Sequence, residues 1–217
     1  MRHVVWDWNG TLFDDISIIV QATNAVGASR GWPVFDISMY REEFQRPLRG
    51  FYDKVHGRAM SDDEYRRTED DWHDAYFELI SHASPNADTQ QALLAVRDLG
   101  ATQSILSMWM HDLLNELVET LGMTKHFTRV DGYSGGGLHK YEHLAAHLEA
   151  LELGAGHDIV YIGDSVDDVL AAQECGIGVV AVCTGSQHPA HFDDLDVAVA
   201  NTLTEAVSIA VTMSRAR

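Results

Sequence analysis

The apolar positions of this 217-residue chain change their spacing twice. His3–Trp6 is a short apolar run ending on Asp7, with the length and bounds of a buried strand. From Ile16 the period is helical: Ile16, Ile19, Val20, Thr23 and Val26 share one face, and Gly31-Trp32-Pro33 stops the pattern. Further helices are predicted over Ile37–Phe44, Arg49–Val55 and Asp62–His82. The last opens on a capping box at Ser61-Asp62-Asp63-Glu64 and carries a stripe of Trp72, Ala75, Tyr76 and Leu79. Those aromatics are expected to be core.

After Pro85 short apolar runs alternate with helical patterns. Strands are predicted at Thr102–Leu106, Phe127–Val130, Ile159–Ile162, Val179–Val182 and Val197–Val199. Helices are predicted at Thr89–Leu99, Leu113–Leu121, Tyr141–Leu151, Val166–Cys175 and Leu203–Met213. Gly100 and Gly122 stand where two of these helices should stop. Such alternation indicates an α/β fold, a doubly wound parallel sheet with helices on both faces. The stretch with no strand reads as an all-helical insertion, so residues 1–14 and 84–217 are expected to form the core domain and residues 15–83 a helical cap.

In an open parallel sheet, ligands bind beyond the carboxyl ends of the strands. Asp7 stands there, followed by the turn formers Asn9-Gly10-Thr11. "IVYIGDSVDDVL" repeats the arrangement, with Asp164 closing a strand and Asp168 four residues on, entering a helix. Capping by Ser165 and acids in a first turn would explain that segment alone. Carboxylates converging on one point also suit a hard cation such as Mg2+. Ser107 follows the strand Thr102–Leu106, and Lys140 follows Gly135-Gly136-Gly137 at the start of a helix. Together these residues supply a carboxylate nucleophile, a hydroxyl, an ammonium and an acidic metal cradle, a set suited to phosphoryl transfer.

Composition narrows the partners. Hydrophobic residues make up 46% and charged ones 22%, ordinary globular usage, but acids outnumber bases 33 to 15, for a net charge of −18. That surface repels nucleic acid and anionic membranes, so neither is an expected partner, and an anionic ligand needs a cation or a basic pocket. Cys175 and Cys183 match no metal pattern and read as buried thiols. With no apolar leader or membrane-length run, the expectation is a cytoplasmic monomer or homodimer. Twelve histidines are many, but a zinc site is not an expectation for this chain.

These motifs resemble the haloacid dehalogenase (HAD) superfamily, in its phosphatase branch related to phosphoglycolate phosphatase. Asp7-Trp8-Asn9-Gly10-Thr11 matches the first motif, Asp-x-Asp-Gly-Thr; Ser107 matches the second and Lys140 the third; Gly163, Asp164 and Asp168 match the fourth. The order is right across nearly the whole chain, and the insertion resembles a C1-type cap. The resemblance implies a nucleophilic Asp7 that forms an aspartyl-phosphate. It implies Mg2+ on Asp7, the Asn9 carbonyl, Asp164 and Asp168, with Thr11 ordering the turn and Ser107 and Lys140 holding the phosphate of a small phosphorylated metabolite. In the cap, Arg46, Arg49 and Lys54 form a basic island fit for a substrate carboxylate or second phosphate, or for pairing with Glu42, Glu43 or Asp53.

Asn9 departs from the pattern. The family's phosphatases usually carry an aspartate there, which protonates the leaving alcohol and then activates water; an amide has no proton to exchange near neutral pH. Several readings stay open: a slow phosphatase, or one restricted to substrates with good leaving groups such as acyl phosphates; replacement of the acid–base by a cap histidine, His56 or His73; a phosphonate hydrolase working through Lys54; a phosphate-binding regulatory protein with little turnover; and an engineered substitution at Asn9.

Overall fold

β1 (His3–Trp6) is buried at every residue and occupies the middle of a parallel sheet. The structure, a computed structural model, describes residues 1–45, 47–135, 139–154 and 156–215. After β1 come β2 (Phe13–Asp14), α1 (Ile16–Ala28), α2 (Ile37–Glu43), α3 (Leu48–His56), α4 (Asp62–Leu79), β3 (Ser84–Pro85) and α5 (Thr89–Asp98). The chain continues through β4 (Thr102–Met110), α6 (His111–Thr120), β5 (Val130–Tyr133), α7 (Lys140–Ala150), β6 (Gly156–Gly163), α8 (Val166–Glu174), β7 (Ile177–Val182), β8 (Ala198–Ala200) and α9 (Leu203–Arg215).

Among the described residues the main sheet has six strands in the order β5-β4-β1-β6-β7-β8, all parallel. Helices flank it, α7 packing on α8 and α5 on α9. Strands covered on both faces need continuous apolar runs, and Ile177–Val182 is buried throughout. The chain builds β4 and β5 on one side of β1, then crosses to β6, β7 and β8 on the other. The carboxyl end of β1 is thus the point where the winding reverses, where such sheets open a ligand crevice.

The strands after Pro85 all differ in extent from those predicted: β6 spans Gly156–Gly163, β7 begins at Ile177 and β8 spans Ala198–Ala200. β4 runs past Leu106 to Met110, because Met108-Trp109-Met110 resumes the apolar run after Ser107, and its register with β5 shifts between Leu106 and Met110. β5 begins at Val130 rather than ending there, since Thr124–His126 coils into a short 3-10 turn and only then does the chain extend.

Two compact units result. The larger comprises Met1–Phe13, Pro85–Gly185 and Pro189–Arg217; the other comprises Asp14–Ser84 and Ser186–His188. The second unit is helical, with a core of Trp32, Phe35, Tyr40, Phe44, Phe51 and Tyr52 among others. Its longest helix, α4, is started by the capping box of Ser61 and Glu64 and carries Tyr76, whose hydroxyl donates to Asp15 Oδ2 at 2.8 Å. A fully buried carboxylate such as Asp15 is tolerable only with partners of this kind.

Candidate active site

Register alone brings the acids to one edge. Trp6 pairs with Ile105 on β4 and with Ile162 on β6. Asp7 is therefore one step beyond the paired level, and Ser107 and Asp164 two steps beyond it, on neighbouring strands. The Asp7 amide makes one more ladder bond, to the Ile162 carbonyl at 2.9 Å, before the chain turns. The turn is closed by Thr11 and Phe13 amides that both donate to the Trp8 carbonyl, at 3.2 and 2.9 Å. Gly10 holds a left-handed φ of +73°, which a side chain would make costly. Trp8 stacks on Phe13 beneath the turn, with centroids 5.3 Å apart.

Asp7, Asp164 and Asp168 are all buried, and a carboxylate oxygen from each lies within 4.8 Å of the others. Asp168 comes from the first turn of α8, where Ser165 caps the helix and donates both its amide, at 2.9 Å, and its hydroxyl, at 2.7 Å, to Asp168 Oδ2. Capping and acid clustering are thus one arrangement here, not alternatives. Thr11 Oγ1 donates to Asp164 Oδ1 at 3.4 Å. Lys140, at the start of α7, puts Nζ 2.7 Å from Asp7 Oδ1 and ion-pairs with Asp168 Oδ1 as well. Both its partners and the ammonium itself are shielded from solvent.

Three carboxylates around one ammonium leave the cluster short of positive charge. Burial pushes the Asp7 carboxyl up to about 8, with Lys140 pulling against it and Asp168 and Asp164 adding to it. Burial also opposes the charge on Lys140, but Asp168 and Asp7 outweigh it and hold the ammonium above the usual lysine range. A hard divalent cation fits such a donor set: it takes carboxylate oxygens and would supply the missing charge.

Ser107 is buried on β4, its Oγ accepting the Trp109 amide at 3.1 Å. The basic island is arranged differently. Arg49 donates to Asp62 Oδ1 and to the Met60 carbonyl, both at 2.7 Å, and lies 5.3 Å above the Tyr65 ring. Lys54 pairs with Glu43 at 2.5 Å at the surface. Arg46 lies outside the described residues, as do Gly136 and Gly137. His56 Nδ1 accepts the Trp32 indole N–H at 3.1 Å, and His73 packs against Trp72 and Phe77.

Sequence reading passed over Thr184 and Gly185, which follow β7 at the same sheet edge. Thr184 Oγ1 donates to the Gly10 carbonyl at 2.7 Å, tying that loop to the turn after Asp7. A Cβ on Gly185 would collide with Asp164 Oδ2, and one on Gly10 would come within 2.7 Å of the same oxygen. The signal was present in Cys183-Thr184-Gly185, a polar turn after an apolar strand, the same rule that marks Asp7.

The sequence model of the family described as "Haloacid dehalogenase-like hydrolase" matches residues 4–182. A phosphoglycolate phosphatase of Mesorhizobium japonicum is 27% identical over 221 residues, covering 94% of this chain and 96% of that one. Among solved structures, a haloacid dehalogenase-like family hydrolase from Streptococcus pneumoniae superposes with a TM-score of 0.82 at 20% identity, over 96% of this chain and 98% of the other. A structure described as a predicted phosphatase from Clostridium acetobutylicum gives the same TM-score at 18% identity, over 97% and 98%.

Proposed function

The chain belongs to the haloacid dehalogenase-like hydrolase family, and from that premise we propose that it is a Mg2+-dependent phosphohydrolase of small phosphorylated metabolites, working through an aspartyl-phosphate on Asp7. One observation carries the reading: Lys140 Nζ, 2.7 Å from Asp7 Oδ1, adjoins a buried cluster of Asp7, Asp164 and Asp168. Structural ion pairs rarely hold three carboxylates to one ammonium out of water; a site that receives a cation and an anion has reason to.

In this reading Asp7, Asp164 and Asp168 hold the ion. Bound Mg2+ supplies the charge that lets Asp7 remain ionised while an anion approaches it. One Asp7 oxygen attacks phosphorus; the P–O bond to the leaving group breaks, and the electron pair departs with the alcohol oxygen. Water then attacks phosphorus and breaks the bond to Asp7, releasing phosphate and restoring the carboxylate. Lys140 and the Ser107 hydroxyl hold phosphoryl oxygens, and Thr11 steadies Asp164. The site is thus built to stabilise charge rather than to move protons.

Asn9 limits the choice of substrate. It stands at the motif position where the family resemblance implies an acid that protonates the leaving oxygen, and an amide cannot do so. Substrates whose leaving groups need no proton, such as acyl or aryl phosphates, suit this site best. The observation that favours a low-turnover, phosphate-binding role is the same residue. A phosphonate route through Lys54 is less suited, its ammonium being paired with Glu43. No helix among the described residues is long and apolar enough to cross a membrane, and a net charge of −18 disfavours nucleic acid; we place the enzyme in the cytoplasm with small-molecule partners. A screen of phosphorylated metabolites with Mg2+ tests the proposal: multiple turnovers lost in Asp7→Asn support it, and phosphate binding without turnover by the unaltered protein overturns it.

A further inference from the structure

Tyr161 lies on β6, two residues before Gly163, and is fully buried. It sits in the sheet's core, yet its side chain meets two separate parts of the site. The hydroxyl donates to the carbonyl of Leu106 on β4 at 3.0 Å, reaching past β1 to do so. The ring lies against the Lys140 ammonium, with Nζ 5.5 Å from its centroid, within the range of a cation–π contact.

Leu106 is no ordinary acceptor. It immediately precedes Ser107, it follows Ile105, the last β4 residue paired with β1, and the register of β4 with β5 shifts directly after it. The β1 ladder ends at Ile105 and only β5 still pairs Leu106, whose carbonyl takes a further tether from the phenol. A phenol keeps its proton below an ordinary pKa of about 10, so the hydroxyl is a donor near neutral pH. Its single proton goes to the Leu106 carbonyl.

We infer that Tyr161 is a positioning residue for the phosphoryl site, its hydroxyl holding the strand end that carries Ser107 and its ring steadying the Lys140 ammonium. The inference rests on the phosphohydrolase reading of Asp7. Packing alone would be satisfied by phenylalanine, which has the same ring and almost the same volume. The hydroxyl, with its acceptor beside Ser107, is the atom that packing does not need. A misplacement of roughly 1 Å at a phosphate-binding group costs about a hundredfold in rate, so a tether at this strand end has an effect out of proportion to one hydrogen bond.

The test is a double-mutant cycle on the full chain with Mg2+, using Tyr161→Phe, Ser107→Ala and both together. Inorganic phosphate affinity is measured by calorimetry, alongside kcat and KM for p-nitrophenyl phosphate. Tyr161→Phe should weaken phosphate binding by about tenfold when Ser107 is present and by less than about twofold when it is absent, since two residues acting as a unit are not additive. KM should rise more than kcat falls. Equal losses in the two backgrounds, or a lower melting temperature with phosphate affinity unchanged, would assign Tyr161 to the core and overturn the inference. Should Tyr161→Phe not fold, 3-fluorotyrosine at position 161 keeps the hydroxyl. Its 19F resonance should move when phosphate is added with Mg2+ and stay still in Ser107→Ala; no movement in either protein overturns the inference too. The unaltered protein is the control: if it neither binds phosphate nor hydrolyses the ester, the phosphohydrolase reading itself fails, whereas normal behaviour there with an indistinguishable Tyr161→Phe sinks Tyr161 alone.

Discussion

Lys140 Nζ stands 2.7 Å from Asp7 Oδ1, across 133 positions of chain, and the two side chains are equally hidden from solvent. The contact couples the proposed nucleophile to the charge that tames it. Lys140 also reaches Asp168, so a single ammonium is divided between two carboxylates. Replacing it with the isosteric but neutral methionine should reduce kcat for p-nitrophenyl phosphate by about a hundredfold or more, as for other fixed charges aimed at a reacting anion. Steady-state rates with saturating Mg2+ check this; a loss below about fivefold would remove Lys140 from the chemistry.

Metal removal should act through Asp7. Its carboxyl is raised to about 8 from an ordinary 3.8. A raised acid favours the folded state fully below the unfolded pKa, and that contribution is lost as pH climbs toward the folded one. The metal-free protein should therefore lose stability between about pH 4 and pH 8, and Mg2+ should restore it, because the ion binds the deprotonated form. The increase in melting temperature on adding Mg2+ should be larger at pH 8 than at pH 5. An increase independent of pH would contradict the assignment of Asp7 as a ligand.

Acid lability should come from elsewhere. His3 is buried in β1, its Nδ1 2.6 Å from Thr102 Oγ1 and its Nε2 2.8 Å from Ser104 Oγ; the same hydroxyl contacts His147 Nε2, and His147 Nδ1 reaches Asp131. Burial first, then the charges of His147 and Arg2, lower the His3 pKa to about 4. As pH falls through the unfolded value near 6.5, the unfolded chain takes up a proton that the folded one refuses. Stability is lost from there down to about 4, by as much as about 3 kcal/mol. His3→Gln, an amide of similar reach, should flatten the dependence of denaturation midpoint on pH in that window. An unchanged slope would place the acid sensitivity at other groups.

The sheet and its acids could be read from the chain because they follow local rules. Apolar runs at regular intervals located the strands, and the carboxyl-edge rule picked out Asp7, Asp164 and Asp168 from sequence neighbours alone. What could not be read depends on partners far apart in the chain. Ser107 looked like a strand terminus, yet β4 continues to Met110 because β5 pairs with it again after a shift. Nothing local marks His3 and His147 as sharing Ser104, or Tyr161 as reaching Leu106 across β1. Arg49 and Lys54 could be read as a substrate-binding island or as partners of Glu42, Glu43 or Asp53; Lys54 does pair with Glu43, while Arg49 takes Asp62, an acid that only the fold brings near.

Asn9 makes the sharpest prediction for substrate choice. Asn9→Asp should raise turnover of an alkyl phosphate by about tenfold or more, and of p-nitrophenyl phosphate by less, since only the alkyl leaving group needs a proton. In the unaltered protein the second step also lacks its usual base, so the aspartyl-phosphate should accumulate and be trapped by acid quench. Equal alkyl-phosphate rates in the two proteins would mean that another group supplies the proton, with His56 and His73 the first to substitute.

The carboxylate of Asp164 has bare backbone for walls, at Gly10 and Gly185. Neither glycine has a functional group to contribute, yet at each a single methyl would claim the volume that the acid oxygen occupies. The evolutionary freedom of this chain is therefore narrowed at places a chemist scanning for reactive side chains would pass over. In a library of single substitutions selected for turnover, positions 10 and 185 should be purged as severely as 7 and 164, even of alanine, the mildest replacement. Lineages descending from this protein can alter its leaving-group chemistry through position 9 while those two neighbours stay frozen.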